Sequence, residues 1–172
     1  MFQIGQVVSY GATGVCTIED IRYESLSRAG TRKQEYYILR PVSAPSCTTF
    51  VPTGNPKLLA KMRNVFSKQE IDALLDSIRG KQLDWIPDTR QRAEVFGQIL
   101  SGGITAELLK LISCLYLEKQ TRSQGGRKFC ATDEKLLSTA ERMVSEEFSY
   151  SLGIPQNKVT SYIADRIEGK AS

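Results

Sequence analysis

The spacing of apolar residues changes along the chain, and this change constrains the fold more than any other feature of the sequence. Up to about residue 53, apolar side chains come in short runs rich in β-branched and aromatic residues, such as Val15–Tyr23 and Glu35–Arg40. From about residue 57, they recur every three or four positions. Short β-forming runs are typical of strands, and the longer period is typical of amphipathic helices. The sequence therefore predicts an α+β protein with a β domain over residues 1–54 and an all-α domain over residues 55–172.

The first half contains roughly four or five short predicted strands. The clearest are Val7–Tyr10, Val15–Tyr23, Glu35–Arg40 and Cys47–Val51, separated by a turn at Gly11–Gly14 and a polar loop at Ser25–Gln34. So many short strands in so few residues favour a strongly curved sheet or a partly open barrel. Such a sheet has an exposed edge, which can pair with a strand of another protein.

The second half carries signals for where helices begin and end. Ser67 and Glu70 form a capping-box pattern directly before an apolar stripe. Asp88 is placed to cap a second helix that ends at Gly102-Gly103. Further helices are predicted from about Thr105 to Lys119, from a Thr132 cap to Tyr150, and after Pro155. Helices of this length joined by short loops predict an α-helical bundle.

Composition excludes several classes of protein. The chain has no histidine, and its four cysteines show no paired spacing, so we predict no metal site, no cofactor and no catalytic residue. The apolar runs are too short to span a membrane, and unpaired cysteines without a signal peptide predict a cytoplasmic protein. The net charge of +4 permits binding to a polyanion without requiring it.

The single tryptophan, Trp85, lies in a short polar connector between two predicted helices. Pro87 makes this connector stiff. Residue types alone leave two interpretations open: the indole packs the two helices together, or it is held out for a partner. In the second interpretation, the flanking basic side chains are candidate phosphate contacts: Arg79, Lys81, Arg90 and Arg92.

Short motifs along the chain stand in a distinctive order. They are Phe2-Gln-Ile-Gly5, Val7-Val-Ser-Tyr10, Gly14-Val15, Ile18-Glu-Asp-Ile21, Tyr36-Tyr-Ile-Leu39 and Phe50-Val-Pro52. Arg63 then precedes the serine-capped helix, and the lone tryptophan is followed by basic residues leading to Ser101-Gly102. In this order and spacing, the chain resembles the CarD/CdnL family of bacterial transcription regulators over nearly its whole length.

The resemblance implies a fold and a function. The N-terminal domain would be a small Tudor-like β-barrel that docks on the RNA polymerase β subunit through Thr48, Thr49, Phe50 and Val51. The helical domain would contact promoter DNA weakly and without sequence specificity. Trp85 would be a wedge in the minor groove at the upstream edge of the transcription bubble, with Arg79, Lys81, Arg90 and Arg92 around it. The expected protein is a monomeric, non-enzymatic regulator that modulates open-complex stability.

Two departures from the family pattern bear on these sites. Phe50 stands where relatives carry an arginine just before Val-Pro, so docking would depend more on backbone pairing and apolar contact. Ile86–Thr89 separates Trp85 from Arg90, whereas the family often has an immediate Arg-Arg pair, so phosphate contacts would be placed differently. The alternative is a protein-interaction module without DNA contact, in which Trp85 is core packing.

Overall fold

The computed structural model describes residues 1–26 and 33–167. The chain divides into two compact units, Met1–Val65 and Phe66–Ser172. The division falls later than the predicted boundary at residue 54, because a short strand after that point belongs to the sheet. Most of the predicted loop Ser25–Gln34 lies outside the described residues.

The N-terminal unit is an antiparallel sheet of five strands in the order β4-β3-β2-β1-β5. The strands are β1 (Val7–Tyr10), β2 (Gly14–Glu24), β3 (Gln34–Pro41), β4 (Thr49–Pro52) and β5 (Met62–Asn64). Together with the helical second unit, this sheet confirms the predicted α+β class. Within the described residues β4 and β5 are the two ends of the sheet, so the barrel expected from the resemblance is not closed.

Strand β5 was not predicted, because three residues with one apolar side chain give no alternation. It pairs with β1, where Met62 lies opposite Tyr10, and the Met62 side chain joins the core of the sheet. A short helix, α1 (Pro56–Leu59), leads into it and is capped by the Asn55 side chain, which accepts from two backbone amides. The core lies on one face of the sheet and comprises Val8, Cys16, Ile18, Tyr37, Leu39, Val51 and Met62.

The second unit contains five helices among its described residues. They are α2 (Lys68–Ile78), α3 (Thr89–Gly102), α4 (Thr105–Gln124), α5 (Ala131–Leu152) and α6 (Gln156–Ile167). Ser67 and Glu70 form the predicted capping box, Asp88 caps α3, and Gly103 ends α3 in the left-handed conformation at φ 65°. The predicted helix ends are confirmed here because each depends on hydrogen bonds between near neighbours.

Two predicted helix limits are wrong. Helix α4 continues past Lys119 to Gln124, and Arg122 bonds Glu118 one turn earlier at 2.7 Å. Helix α5 begins at Ala131 with Cys130, not Thr132, in the capping position. At the end of α4, local bonds between side chains extend the helix through a polar segment that residue composition by itself indicates as loop.

The apolar stripes of these helices meet in one core. Its fully buried members include Ile71, Leu75, Phe96, Leu111, Leu115, Ala140 and Phe148. Helix α5 packs against α3, α4 and α6 and so lies at the centre of the unit. None of the described helices combines the length and apolar character that crossing a membrane requires.

A polar contact joins α2 to α6 and makes stability depend on pH. The Tyr162 hydroxyl donates to the Asp72 carboxylate. Burial, followed by this hydrogen bond, raises the pKa of Tyr162 from 10.0 to about 12. The folded state therefore holds the phenolic proton more tightly than the unfolded state. Its contribution to stability is fully present below pH 10 and is lost as the pH rises toward 12.

We therefore expect Tyr162→Phe to reduce the pH dependence of unfolding in that window. The free energy of unfolding of the wild type should fall relative to the variant as the pH rises from 10 to about 12, measured by urea denaturation. Tyr150→Phe, at an exposed tyrosine on α5, is the control and should follow the wild type. The raised pKa of Tyr162 would be contradicted if the free energies of unfolding of the wild type and Tyr162→Phe differed by the same amount at every pH from 10 to about 12.

Candidate functional site

Strand β4 is at an edge of the sheet. Alternate residues of β4 form backbone hydrogen bonds with β3, and the backbone groups of the residues between them face outward. The Thr53 amide donates to the Glu35 carbonyl at 3.0 Å, and these residues lie opposite each other when the β3–β4 register is extended. In an antiparallel pair such bonds occur at every second residue. Thr49 and Val51 therefore direct their amides and carbonyls toward β3. The amide and carbonyl of Phe50 point away from the sheet.

The side chains of β4 divide between the two faces of the sheet. Val51 is fully buried in the core, so its side chain faces away from the surface of the sheet unit. Phe50 lies on the opposite face, where its ring packs edge-on against Tyr36 with centroids 6.1 Å apart. Thr48, which precedes β4, is exposed and lies beside the same shallow cavity as Phe50. Of the four predicted docking residues, Thr48 and Phe50 have outward side chains.

The face that carries Phe50 also carries an arginine that the sequence did not single out. Ile38 lies opposite Phe50, and Arg40 follows two residues later on the same face of β3. Its guanidinium bonds the Glu19 carboxylate at 2.6–3.1 Å and the Pro45 carbonyl at 2.8 Å. Because this pair is exposed, it contributes about 0–1 kcal/mol and can exchange for a partner's carboxylate. Only the strand register could have placed Arg40 beside Phe50.

Trp85 packs against the helical core and keeps part of its surface accessible, so both interpretations of its role stay open. Its indole is partly buried and packs edge-on against Phe96, with ring centroids 6.3 Å apart. The Arg92 guanidinium lies over the ring at 4.2 Å from its centroid, and that of Arg122 at 5.7 Å. The indole also lines a cavity of about 260 Å³ between the connector and α4. It is therefore held by the helical core while part of its surface remains accessible.

Arg92 requires a correction. It was predicted to contact phosphate, but its side chain is only 2% exposed and pairs with the equally buried Asp133 of α5. The two carboxylate oxygens accept from Nε at 3.0 Å and from Nη2 at 2.8 Å. This hydrogen bonding raises the pKa of Arg92 above its ordinary value. A guanidinium enclosed in this way does not reach a phosphate, because the ion pair occupies it.

The other three predicted basic residues have exposed side chains. Lys81 lies in the connector and Arg90 in the first turn of α3. Arg79 ends α2, where it pairs with Asp76 at 3.3 Å and donates to the Arg166 carbonyl at 2.6 Å. An exposed pair of this kind does not prevent contact with a phosphate. Arg79, Lys81 and Arg90 therefore remain candidate phosphate contacts.

Two residues at this site could not be found from the sequence: Asp133, which pairs with Arg92, and Arg122, which contacts Trp85. Asp133 is separated from Arg92 by 41 positions, and no local pattern links the two. Arg122 lies over the indole from α4 and is oriented by Glu118 at 2.7 Å. Nearby, burial raises the pKa of the Cys114 thiol, and the Glu118 charge adds to this effect. Across the described ranges 1–26 and 33–167, no group of three His, Cys, Asp or Glu side chains could hold a metal ion.

Comparison with known proteins identifies the sheet unit. The family model of the CarD-like/TRCF RID domain matches residues 2–65, which is the N-terminal unit almost residue for residue. A comparison with curated proteins finds no match. The match defines a transcription-related protein that carries an RNA polymerase-interacting domain. Residues 2–65 are therefore similar to a CarD-like/TRCF RID domain, and the match covers less than half of the chain.

Proposed function

We propose that the protein is a non-enzymatic transcription regulator of the bacterial cytoplasm that acts on the open promoter complex. Its N-terminal unit, of Tudor-like type, docks on the RNA polymerase β subunit through the outward edge of β4. Its helical unit contacts promoter DNA at the upstream edge of the transcription bubble through Trp85. The match of residues 2–65 to the polymerase-interacting domain is the observation that carries this proposal.

Backbone pairing is the main source of docking energy in this proposal. The outward amide and carbonyl of Phe50 offer a donor and an acceptor to an incoming strand. The exposed Thr48 and the ring of Phe50 add contacts on the face next to that edge. Arg40 supplies a guanidinium on the same face, although β4 itself lacks the arginine of its relatives.

The DNA contact is favourable only where the duplex is already opening. Unstacking a base step costs on the order of a few kcal/mol. Stacking a base on an aromatic side chain returns roughly 1–3 kcal/mol, so the two terms nearly cancel on closed DNA. At the edge of a bubble, polymerase has already broken the stack, and the indole gains contact without that cost. The protein therefore favours the open complex by binding it better than the closed one.

Weak and non-specific DNA affinity suits a protein that polymerase holds near the promoter. Tethering raises the local concentration of the helical unit at its DNA site. Exposed Arg79, Lys81 and Arg90 supply positive charge without a pattern that could read bases.

Trp85→Ala tests the DNA contact. We expect polymerase binding to be unchanged, because the substituted residue lies in the other unit. Open complexes should decay about 5- to 30-fold faster, corresponding to a loss of about 1–2 kcal/mol of stacking. The measurement is the lifetime of heparin-challenged open complexes with full-length protein, and Trp85→Phe should restore part of it. Tyr150→Ala, at an exposed tyrosine on α5, is the control.

The alternative is a protein-interaction module in which Trp85 is only core packing, and the contact with Phe96 favours it. It predicts wild-type lifetimes for Trp85→Ala. It also predicts a loss of unfolding free energy of about 3 kcal/mol or more, the cost of truncating a buried aromatic side chain. A wild-type lifetime in a folded Trp85→Ala protein would therefore reject the DNA contact.

A further inference from the structure

We infer that the buried Arg92–Asp133 pair is a positioning device for Trp85, fixing the indole in the orientation in which it meets DNA. This inference rests on the proposed role of Trp85, but its central claim concerns the connector and can be measured without DNA. Arg92 acts here through the indole and does not itself touch a partner.

The first support is that the Arg92 side chain donates hydrogen bonds to the backbone of the connector. Its Nη1 donates to the Ile86 carbonyl at 2.8 Å and to the Pro87 carbonyl at 3.1 Å. These carbonyls belong to the two residues that follow Trp85. Within the described residues, no backbone–backbone hydrogen bond is formed by residues 82–87. The two carbonyl contacts are therefore the polar anchors that determine the path of the chain beside the indole.

The second support is the stacking of the guanidinium on the indole itself. The group that binds the two carbonyls also lies 4.2 Å from the centroid of the Trp85 ring. A planar guanidinium over an aromatic face is attracted by the ring quadrupole, and the attraction is stronger where water is excluded. One rigid group thus fixes both the backbone of the connector and the plane of the side chain.

The third support is the fixed position of the guanidinium. Asp133 holds it with two hydrogen bonds, and both side chains are 2% exposed. A bidentate pair defines the plane of the arginine fork as well as its position. An ion pair serving only to join α3 to α5 would need the Asp133 contacts alone. The additional bonds to Ile86 and Pro87 serve the connector.

The residues around Trp85 leave part of the indole surface open to a cavity. Arg122 approaches the ring at 5.7 Å and is itself oriented by Glu118. The cavity on this side is lined by connector residues and by α4 residues. The contacts with Arg92 and Phe96 hold the indole in one orientation, in which it also lines the cavity.

The test replaces both charges together, giving Arg92→Met/Asp133→Leu in the full-length chain. Exchanging a buried ion pair for apolar side chains of similar volume is often neutral for stability, so this protein should fold. The indole remains but loses its anchor. Acrylamide quenching of the sole tryptophan should increase, and its emission should shift to longer wavelength. Open complexes should decay roughly 5- to 30-fold faster, approaching the rate with Trp85→Ala.

Combining Trp85→Ala with the double variant tests whether the Arg92–Asp133 pair acts by positioning Trp85 or only by stabilising the fold. Adding Trp85→Ala to the double variant should change the lifetime little, because a misplaced indole has already lost its contact. Arg92→Lys keeps the charge opposite Asp133 but lacks the fork. It should therefore fold and show an intermediate lifetime and intermediate quenching.

Several outcomes would overturn the inference. A folded double variant with wild-type quenching and lifetime would show that Trp85 is oriented without Arg92. Unfolding of both the double variant and Arg92→Lys would reduce the pair to a structural element. A wild-type lifetime for Trp85→Ala would instead reject the proposed DNA contact, while increased quenching in the double variant would still support the positioning claim.

Discussion

Polymerase binding is expected to weaken sharply when Phe50 becomes proline and much less when it becomes alanine. Both variants lose the aromatic side chain, but only Phe50→Pro loses the outward backbone donor of β4. A partner carbonyl left without its donor costs about 1–3 kcal/mol. We therefore expect Phe50→Pro to bind about 5- to 150-fold more weakly than Phe50→Ala, measured with the β subunit by calorimetry.

Phe50 is the position that tests docking through the edge of β4, because its amide points away from β3 and forms no hydrogen bond within the sheet. Proline is tolerated on an edge strand where its missing amide would face outward, and Pro52 already occupies such a position. Thr49→Pro would instead remove a bond to β3 and disturb the sheet, so it is the control for internal damage. Circular dichroism should show a folded Phe50→Pro protein. Equal affinity of the folded proline and alanine variants would exclude docking through the edge of β4.

Asp133→Ala is expected to produce the largest loss of stability among the described polar residues of the helical unit. The substitution leaves the Arg92 charge buried without its carboxylate, which costs about 3–5 kcal/mol. The free energy of unfolding of the full-length protein should fall by this amount, measured by urea denaturation followed through tryptophan fluorescence and far-ultraviolet circular dichroism.

Glu134→Ala is the matched control because it removes the next carboxylate on the same helix. Glu134 pairs with Lys119 at 2.7 Å, but its side chain is 49% exposed. We expect a change of about 1 kcal/mol or less for such a pair. If Asp133→Ala and Glu134→Ala destabilised the protein equally, the Arg92–Asp133 pair would not be the buried anchor that the structure indicates.

Together these variants test the two units separately. Phe50→Pro alters a backbone group in the sheet unit and should not change the environment of Trp85. Asp133→Ala alters the helical unit and leaves the edge of β4 intact. A regulator that uses one unit for polymerase and the other for DNA should therefore lose binding in the first case. In the second case it should lose open-complex stabilisation, at temperatures where the protein still folds.

Prediction from the sequence located the edge strand and the connector that carries Trp85, whose roles as sites stay predictions. A lone tryptophan in a stiff connector marked Trp85, and the β-forming run before Pro52 marked the edge strand. It missed the burial of Arg92, because the residues near an arginine in sequence do not show which distant side chain it pairs with. The buried carboxylate that occupies it lies on another helix. It also did not show that the side chain of Val51 faces the core.

The sequence by itself determined the α+β class, the types of the main elements and most helix ends. These features depend on periodicity and capping, which act between residues a few positions apart, as in the Ser67–Glu70 box. Only the tertiary structure decided that β5 joins β1 and that the Phe50 amide faces outward. It also decided that Arg92 is buried against Asp133. Each depends on pairing between distant segments, and the free energy of such pairing is set by burial and register, not by local sequence.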